Sequence, residues 1–170
     1  MDNVLSVVEK SPYLQQCDAH MSVSRNIVIR GTQRRPVVRV FKDTMEFYMD
    51  SVGKVMPLSR YNNMDVIVAN GDFKSRKTNL RDVCKLATYI YRHEEYQPLF
   101  DQIYIKGNGD LYLVPKVGDH VVLLGDMKDL DRKMHNLMAM YHKGMKKTGW
   151  NEYVEINLKY NNQVICSKEK

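Results

Sequence analysis

Asn151-Glu-Tyr-Val-Glu-Ile-Asn-Leu-Lys-Tyr160-Asn-Asn-Gln-Val-Ile-Cys-Ser167 is the stretch whose reading decides the fold. Val154, Ile156, Leu158 and Tyr160 fall on one side of an extended chain, and Glu155, Asn157 and Lys159 on the other, with Tyr153 the exception. A period of two marks a strand with one buried face. Asn161-Asn162 then interrupts it, and Asn tolerates the positive φ of a two-residue hairpin turn, though less readily than Gly. Gln163 to Ser167 returns as a second, short strand before the charged Lys168-Glu169-Lys170. A short final strand is a natural sheet edge, with backbone donors and acceptors left unpaired. The edge is therefore expected to be the working surface. Lys159, Tyr160, Asn162, Gln163, Val164, Ile165, Cys166 and Ser167 are its candidate partner-binding residues. Whether the Ile165 amide points outward or back to the preceding strand is open at this stage.

The longest helix precedes this hairpin. Leu130, Met134, Leu137, Met138, Tyr141 and Met145 form its apolar stripe, with Lys128, Arg132, Lys133, Lys143, Lys146 and Lys147 elsewhere. Acidic residues near its start (Asp126, Asp129, Asp131) and Lys146-Lys147 near its end suit the helix dipole. Gly149 is a fitting terminator. Trp150 hands over to the final strand and is expected to pack between helix and sheet.

Working back, Ile103-Tyr-Ile105 and Leu111-Tyr-Leu-Val114 flank Gly107-Asn-Gly109, the clearest hairpin in the chain, and His120 to Leu124 adds a third strand of that meander. Thr78 or Asn79 caps a second helix, whose stripe is Leu80, Val83, Cys84, Ala87, Ile90 and Tyr91. On this stripe Cys84 is buried, while Cys166 on the last strand is nearer solvent. Glu94 to Phe100 reads as a further short turn of helix. Val66-Ile-Val-Ala69 has the continuous apolar run of a central strand. Phe47-Tyr-Met49 and Lys54-Val-Met56 form a hairpin around Asp50-Ser-Val-Gly53.

At the start, Val4 to Val8 make a short helix ending near Ser11-Pro12. Strands over Leu14 to Ser22 and Asn26 to Gln33 come next, joined at Ser24-Arg25, with Ile27 and Ile29 alternating along the second. A helix-strand-strand unit is too small to bury a core alone. Either a cover is missing or the unit packs on the rest of the chain. Pro36 suits a strand edge or a crossing between domains, so the division is placed there.

The 170 residues hold one ordinary domain or two small ones. A hydrophobic content of 44% fits a globular protein, and the net charge of +6 fits an anionic partner or none in particular. Cys17, Cys84 and Cys166 are far apart, an odd number with no metal-type pair. No apolar run is long enough to span a bilayer, and no signal peptide is seen.

Chemistry finds no foothold. His135 and His142 are seven apart, whereas two ligands on one helix sit three or four apart. His93-Glu94-Glu95 are sequence neighbours that point different ways on a helix. The Gly107 loop joins two strands, and a phosphate cradle needs a helix after its glycines. No nucleophile, base and orienting group can be assembled, so no catalytic residue, cofactor or metal is assigned. Arg34-Arg35 with Arg39, and Lys74, Arg76, Lys77 and Arg81, make two basic clusters. Without a recognition helix or a paired-aromatic strand signature, they read as solvated loops and nucleic acid is not expected. An envelope enzyme or a basic nucleic-acid-binding domain are the rival readings.

Several stretches together resemble one family. Gln33-Arg-Arg-Pro-Val-Val-Arg39 resembles the junction that ends the POTRA domain of the bacterial cell-division family FtsQ/DivIB. Tyr48-Met-Asp-Ser-Val-Gly-Lys-Val55 resembles the D-x-x-G-x-V hairpin that opens that family's β domain. Val66-Ile-Val-Ala-Asn-Gly71 sits where members have L-P-V-x-x-G, and Val121-Val-Leu-Leu-Gly125 resembles V-x-L-G before the long helix. Tyr153-Val-Glu-Ile-Asn-Leu-Lys-Tyr160 resembles Y-x-x-I-D-L-R-Y. The Gln-Arg-Arg-Pro form and Val-Met-Pro-Leu-Ser59 look most like Bacteroidetes members.

The resemblance implies a non-catalytic divisome scaffold. It is expected to bind proteins of the FtsB and FtsL type, with Tyr160 in the partner site. It implies an inner-membrane protein, with one transmembrane anchor absent from this sequence and the present domains on the periplasmic side. The fold expected is α+β. Residues 1–38 would be the C-terminal part of a POTRA domain (helix-strand-strand). Residues 39–167 would be a mostly antiparallel β-sheet domain packed with two main helices, and 168–170 a charged tail. Lys159 stands where the pattern has Arg, keeping the charge but losing the planar fork.

Overall fold

The computed structural model describes residues 7–8, 10–59, 63–74, 77–145, 149–161 and 163–168. The expected helix at Val4 to Val8 lies mostly outside them. Strands β1 (Leu14–Met21) and β2 (Ile27–Gln33) form a two-stranded antiparallel sheet. The turn between them places Arg25 at φ 62. β3 (Pro36–Lys42), β4 (Met45–Asp50), β5 (Val55–Met56), β6 (Ile67–Gly71), β7 (Phe100–Ile105), β8 (Leu111–Pro115), β9 (Val121–Gly125), β10 (Glu155–Asn157) and β11 (Ile165–Ser167) form one nine-stranded sheet in the order β11-β10-β9-β8-β7-β6-β3-β4-β5. Five of its ladders are antiparallel. The other three, β3–β6, β6–β7 and β9–β10, are parallel. With two α-helices among the described residues, the class is α+β.

The register explains the core. One row crosses the sheet through Phe47, Val40, Ala69, Ile103, Leu113, Val122, Ile156 and Cys166. Its central members, Val40 through Ile156, are fully buried. The residues one step along each strand point to the other side, among them Arg39, Val68, Gln102, Glu155 and Ser167, and all keep some exposure. The apolar side joins one core with both helices. Helix α1 (Leu80–Arg92) buries Val83, Cys84, Ala87 and Ile90, as its spacing predicts, while Tyr91 stays exposed. Asn79 is its cap: the side chain accepts from the Arg81 and Asp82 amides, and Asp82 answers the Asn79 amide. Helix α2 (Leu130–Met140) buries Met134 and Leu137 and continues as one π-turn over Tyr141–Met145.

Several expectations fail, each for a local reason. Glu94 to Phe100 forms turns and then β7, because His93 leaves α1 in an extended conformation and Pro98 disfavours helix at Gln97. Lys133 is not a solvated lysine. Its side chain is 4% exposed, with the ammonium 2.8 Å from the Asp126 carbonyl and 3.0 Å from its carboxylate. Asp126 thus serves Lys133, and Asp129 enters α2 at φ 51 without capping it. Trp150 is 37% exposed. Its ring lies 5.1 Å from Tyr141 and 6.3 Å from buried His120, and so leans on the helix end from outside. Ile27 and Ile29 remain 47% and 45% exposed, because β1 and β2 have no covering layer among the described residues. Cys84 is buried as expected, its thiol 3.2 Å from the Asp50 carbonyl, and Cys166 is partly exposed.

A clamp joins the two sheets. Arg34, between β2 and β3, pairs with Asp50 at 2.5 Å and donates to the Leu14 carbonyl. Asp50 also accepts from the amides of Val52 and Lys54 in the β4–β5 turn.

Candidate partner-docking edge

β10 meets β11 through Glu155↔Ser167, Ile156↔Cys166 and Asn157↔Ile165. The chain between them is therefore residues 158–164, not a two-residue turn at Asn161-Asn162. The alternation read from sequence holds for Ile156 and Leu158, both buried, and fails at its ends, where Val154 is exposed and Tyr160 is 50% exposed. Leu158 still runs along β9, its amide donating to the Leu123 carbonyl at 2.9 Å. Beyond it the chain turns away, because side chains rather than ladder bonds hold it.

Two holds are visible. Lys159 reaches Asp110 at 3.0 Å, and Lys77 reaches the other oxygen of the same carboxylate at 2.5 Å. The Asp110 side chain is only 4% exposed. It also accepts from the Asn108 amide group, while its own backbone amide donates to Asn108 Oδ1. Burial alone would raise the Asp110 carboxyl; the two lysines more than offset this and hold it below the usual carboxylate range. The same contact raises Lys159. To arrive there the lysine stem crosses the end of β9 at Gly125, where an added Cβ would lie 2.7 Å from Lys159 Cγ. Arg132, in the first turn of α2, makes the second hold. It donates to the Asn161 carbonyl, to Asn161 Oδ1 at 2.9 Å and, at 3.5 Å, to the Tyr160 carbonyl.

The direction of the edge comes from strand parity. The Val154 carbonyl and the Leu158 amide both face β9. Ile156, between them in β10, is thus spent on β9, and Glu155 and Asn157 face β11, as does the Val154 amide, which donates to the Ser167 carbonyl at 2.9 Å. Ser167 and Ile165 oppose them, so their backbone groups turn inward. Cys166 opposes Ile156, which leaves the Cys166 N–H and C=O pointing away from the sheet. Among the described residues nothing pairs beyond β11.

The candidate residues therefore separate. Ile165 and Ser167 carry exposed side chains on the open side of the sheet, while the Cys166 thiol faces the core and burial raises its pKa. Val164 is half-buried against the core and Gln163 exposed. Tyr160 presents its side chain to solvent. Lys159 is occupied internally. Asn162 lies outside the described residues. The sequence reading assigns Asp110, Arg132 and Gly125 no part in this loop, because each is distant in sequence from the loop it serves. Among the described residues no group of His, Cys, Asp or Glu side chains could hold a metal ion.

The described residues thus form a helix-backed mixed sheet that ends in a short edge strand, with the loop before it held by Asp110 and Arg132. Residues 35–167 match the family described as FtsQ/DivIB, C-terminal related, and the chain belongs to that cell-division family. No curated protein matches it. Within the described residues no helix is long and apolar enough to cross a membrane.

Proposed function

We propose that this protein is a non-catalytic divisome scaffold that binds division proteins of the FtsB and FtsL type by accepting a strand at β11. The observation that carries this reading is the outward Cys166 N–H and C=O on the terminal strand of a nine-stranded sheet. An added strand satisfies these groups, and neighbouring side chains confer selectivity. Tyr160, Gln163, Ile165 and Ser167 are exposed beside the edge and supply those contacts. Family membership supports the cell-division role. On this reading residues 1–38 are the C-terminal part of a POTRA domain, and the protein works at the inner membrane with these domains on the periplasmic side.

The test is binding of the FtsB-type protein from the same cell by calorimetry. Cys166→Pro removes the outward donor and spares the inward ladder. Tyr160→Ala removes a side-chain contact alone. Both variants should fold, and the proline variant should bind at least about tenfold more weakly, the loss of one well-made hydrogen bond or more. Wild-type affinity in both folded variants removes the edge as the site.

A further inference from the structure

We infer that Asp110 and Arg132 are positioning residues: they fix residues 158–161 and so set the place of β11, without touching an added strand. The inference rests on the proposed docking role for its functional meaning, and on the geometry of the loop for its substance.

The connection from β10 to β11 should be the loosest part of the sheet. Lys159, Tyr160, Asn161 and Gln163 in it are exposed, and it leads to an edge strand of three residues. Instead it is tied from three directions. The Leu158 amide binds β9, Lys159 binds Asp110 at the start of β8, and Arg132 of α2 grips the carbonyls of Tyr160 and Asn161. Within the loop, Asn157 Oδ1 accepts the Lys159 amide at 3.0 Å.

The Lys159 contact is more than a surface ion pair. A lysine side chain loses rotamer freedom when held in one conformation, and an exposed pair returns little. Here the acceptor carboxylate is buried, so the pair is screened by solvent less than an exposed one. The stem also lies across a glycine, where any side chain would collide with it. Asp110 in turn joins Lys77, just ahead of α1, to the docking loop through one carboxylate. Arg132 is the geometric complement. Its planar fork meets two oxygens of Asn161, a contact that an ammonium cannot reproduce. A loop held in advance spares a partner the ordering cost of binding. Neither residue lies on the edge, and Asp110 is too buried to meet a partner at all.

The test needs no partner at first. Amide hydrogen exchange and the rate of Cys166 labelling by a thiol reagent are measured in the wild type, Asp110→Asn and Arg132→Ala. Arg132 is on the surface, so its variant folds even if the Asp110 variant does not. Exchange across 158–167 and Cys166 labelling should rise about tenfold or more, while amides of β6 to β8 keep their wild-type protection. Adding Lys159→Met to Asp110→Asn should add little, since the two share one contact. Arg132→Lys should not rescue Arg132→Ala. Unchanged exchange at 158–167 overturns the inference. So does a uniform rise that includes β6 to β8, which would make these residues general staples. The FtsB-type protein is then offered to the variants. Loosened loops that still bind with wild-type affinity would leave the clamp standing and overturn the docking reading.

Discussion

Two hairpins in this chain read alike and end differently. β1–β2 and β7–β8 both alternate, and both turn through a residue with positive φ, Arg25 and Gly109. In β7–β8 the apolar side, with Ile103, Ile105, Leu111 and Leu113, is wholly buried. In β1–β2 the corresponding side, with Ala19, Met21, Ile27 and Ile29, is largely open. Alternation fixes which side of a strand is apolar. It does not supply the layer that covers it, and burial is where the stabilisation comes from, at roughly 25 cal/mol per Å².

Matched truncations break or sharpen that comparison. Ile103→Ala, in the fully buried row, should cost about 2–5 kcal/mol by chemical denaturation, the range for emptying a packed site. A cost below about 1 kcal/mol would mean the row is not packed as described. Trp150→Ala should cost less, about 1–2 kcal/mol, because its ring is partly exposed and contributes mainly ring contacts with Tyr141 and His120. A loss as large as that of Ile103→Ala would place the indole in the core.

The junction under Trp150 should make the covered sheet acid-labile. Burial of His120 lowers its proton affinity, and the nearby Trp150 backbone and Asp119 charge offset this only in part. Above about pH 6.5 the ring is neutral in both folded and unfolded chains and adds no pH dependence. As the pH falls below that value the unfolded chain takes up a proton that the fold resists, so stability declines. Between pH 7.5 and 5.5 the urea midpoint should fall in the wild type, and less in His120→Gln. An equal fall in both would assign the effect elsewhere. The smallest effect belongs to the open hairpin: Ile29→Ala should stay within about 0.5 kcal/mol, as at an ordinary surface site. A core-sized loss there would show that something covers β1–β2 in solution.

The same contrast explains what could be read from sequence. Ile103 to Val114, His120 to Leu124, the first helix stripe apart from Tyr91, Met134, Leu137 and Tyr141 of the second, and the Asn79 cap were legible because each depends on residues within a few positions; the Met145 side chain lies outside the described residues. The edge position of Ile165 to Ser167 was legible as well. The three parallel ladders carried no local mark, since β3 pairs β6, and β9 pairs β10, only after long excursions. The final turn was misplaced for the same reason. Asn161-Asn162 has hairpin chemistry, but Asp110 holds Lys159 and Arg132 holds Asn161. Lys133 reads only as lying off the apolar stripe and Lys159 as a partner-binding residue, and only the fold brings Asp126 and Asp110 to them.

The order of strands also imposes an order in time. β7, β8 and β9 are neighbours along the chain and close through short loops, so they can form early. The β9–β10 pair must wait for the crossover that contains α2, and β11 has nowhere to pair until β10 is in place. The edge is therefore the last part of the sheet to exist. Under the proposed docking role, a partner that recognises this edge engages only molecules whose sheet is complete, so docking would double as a check on the fold.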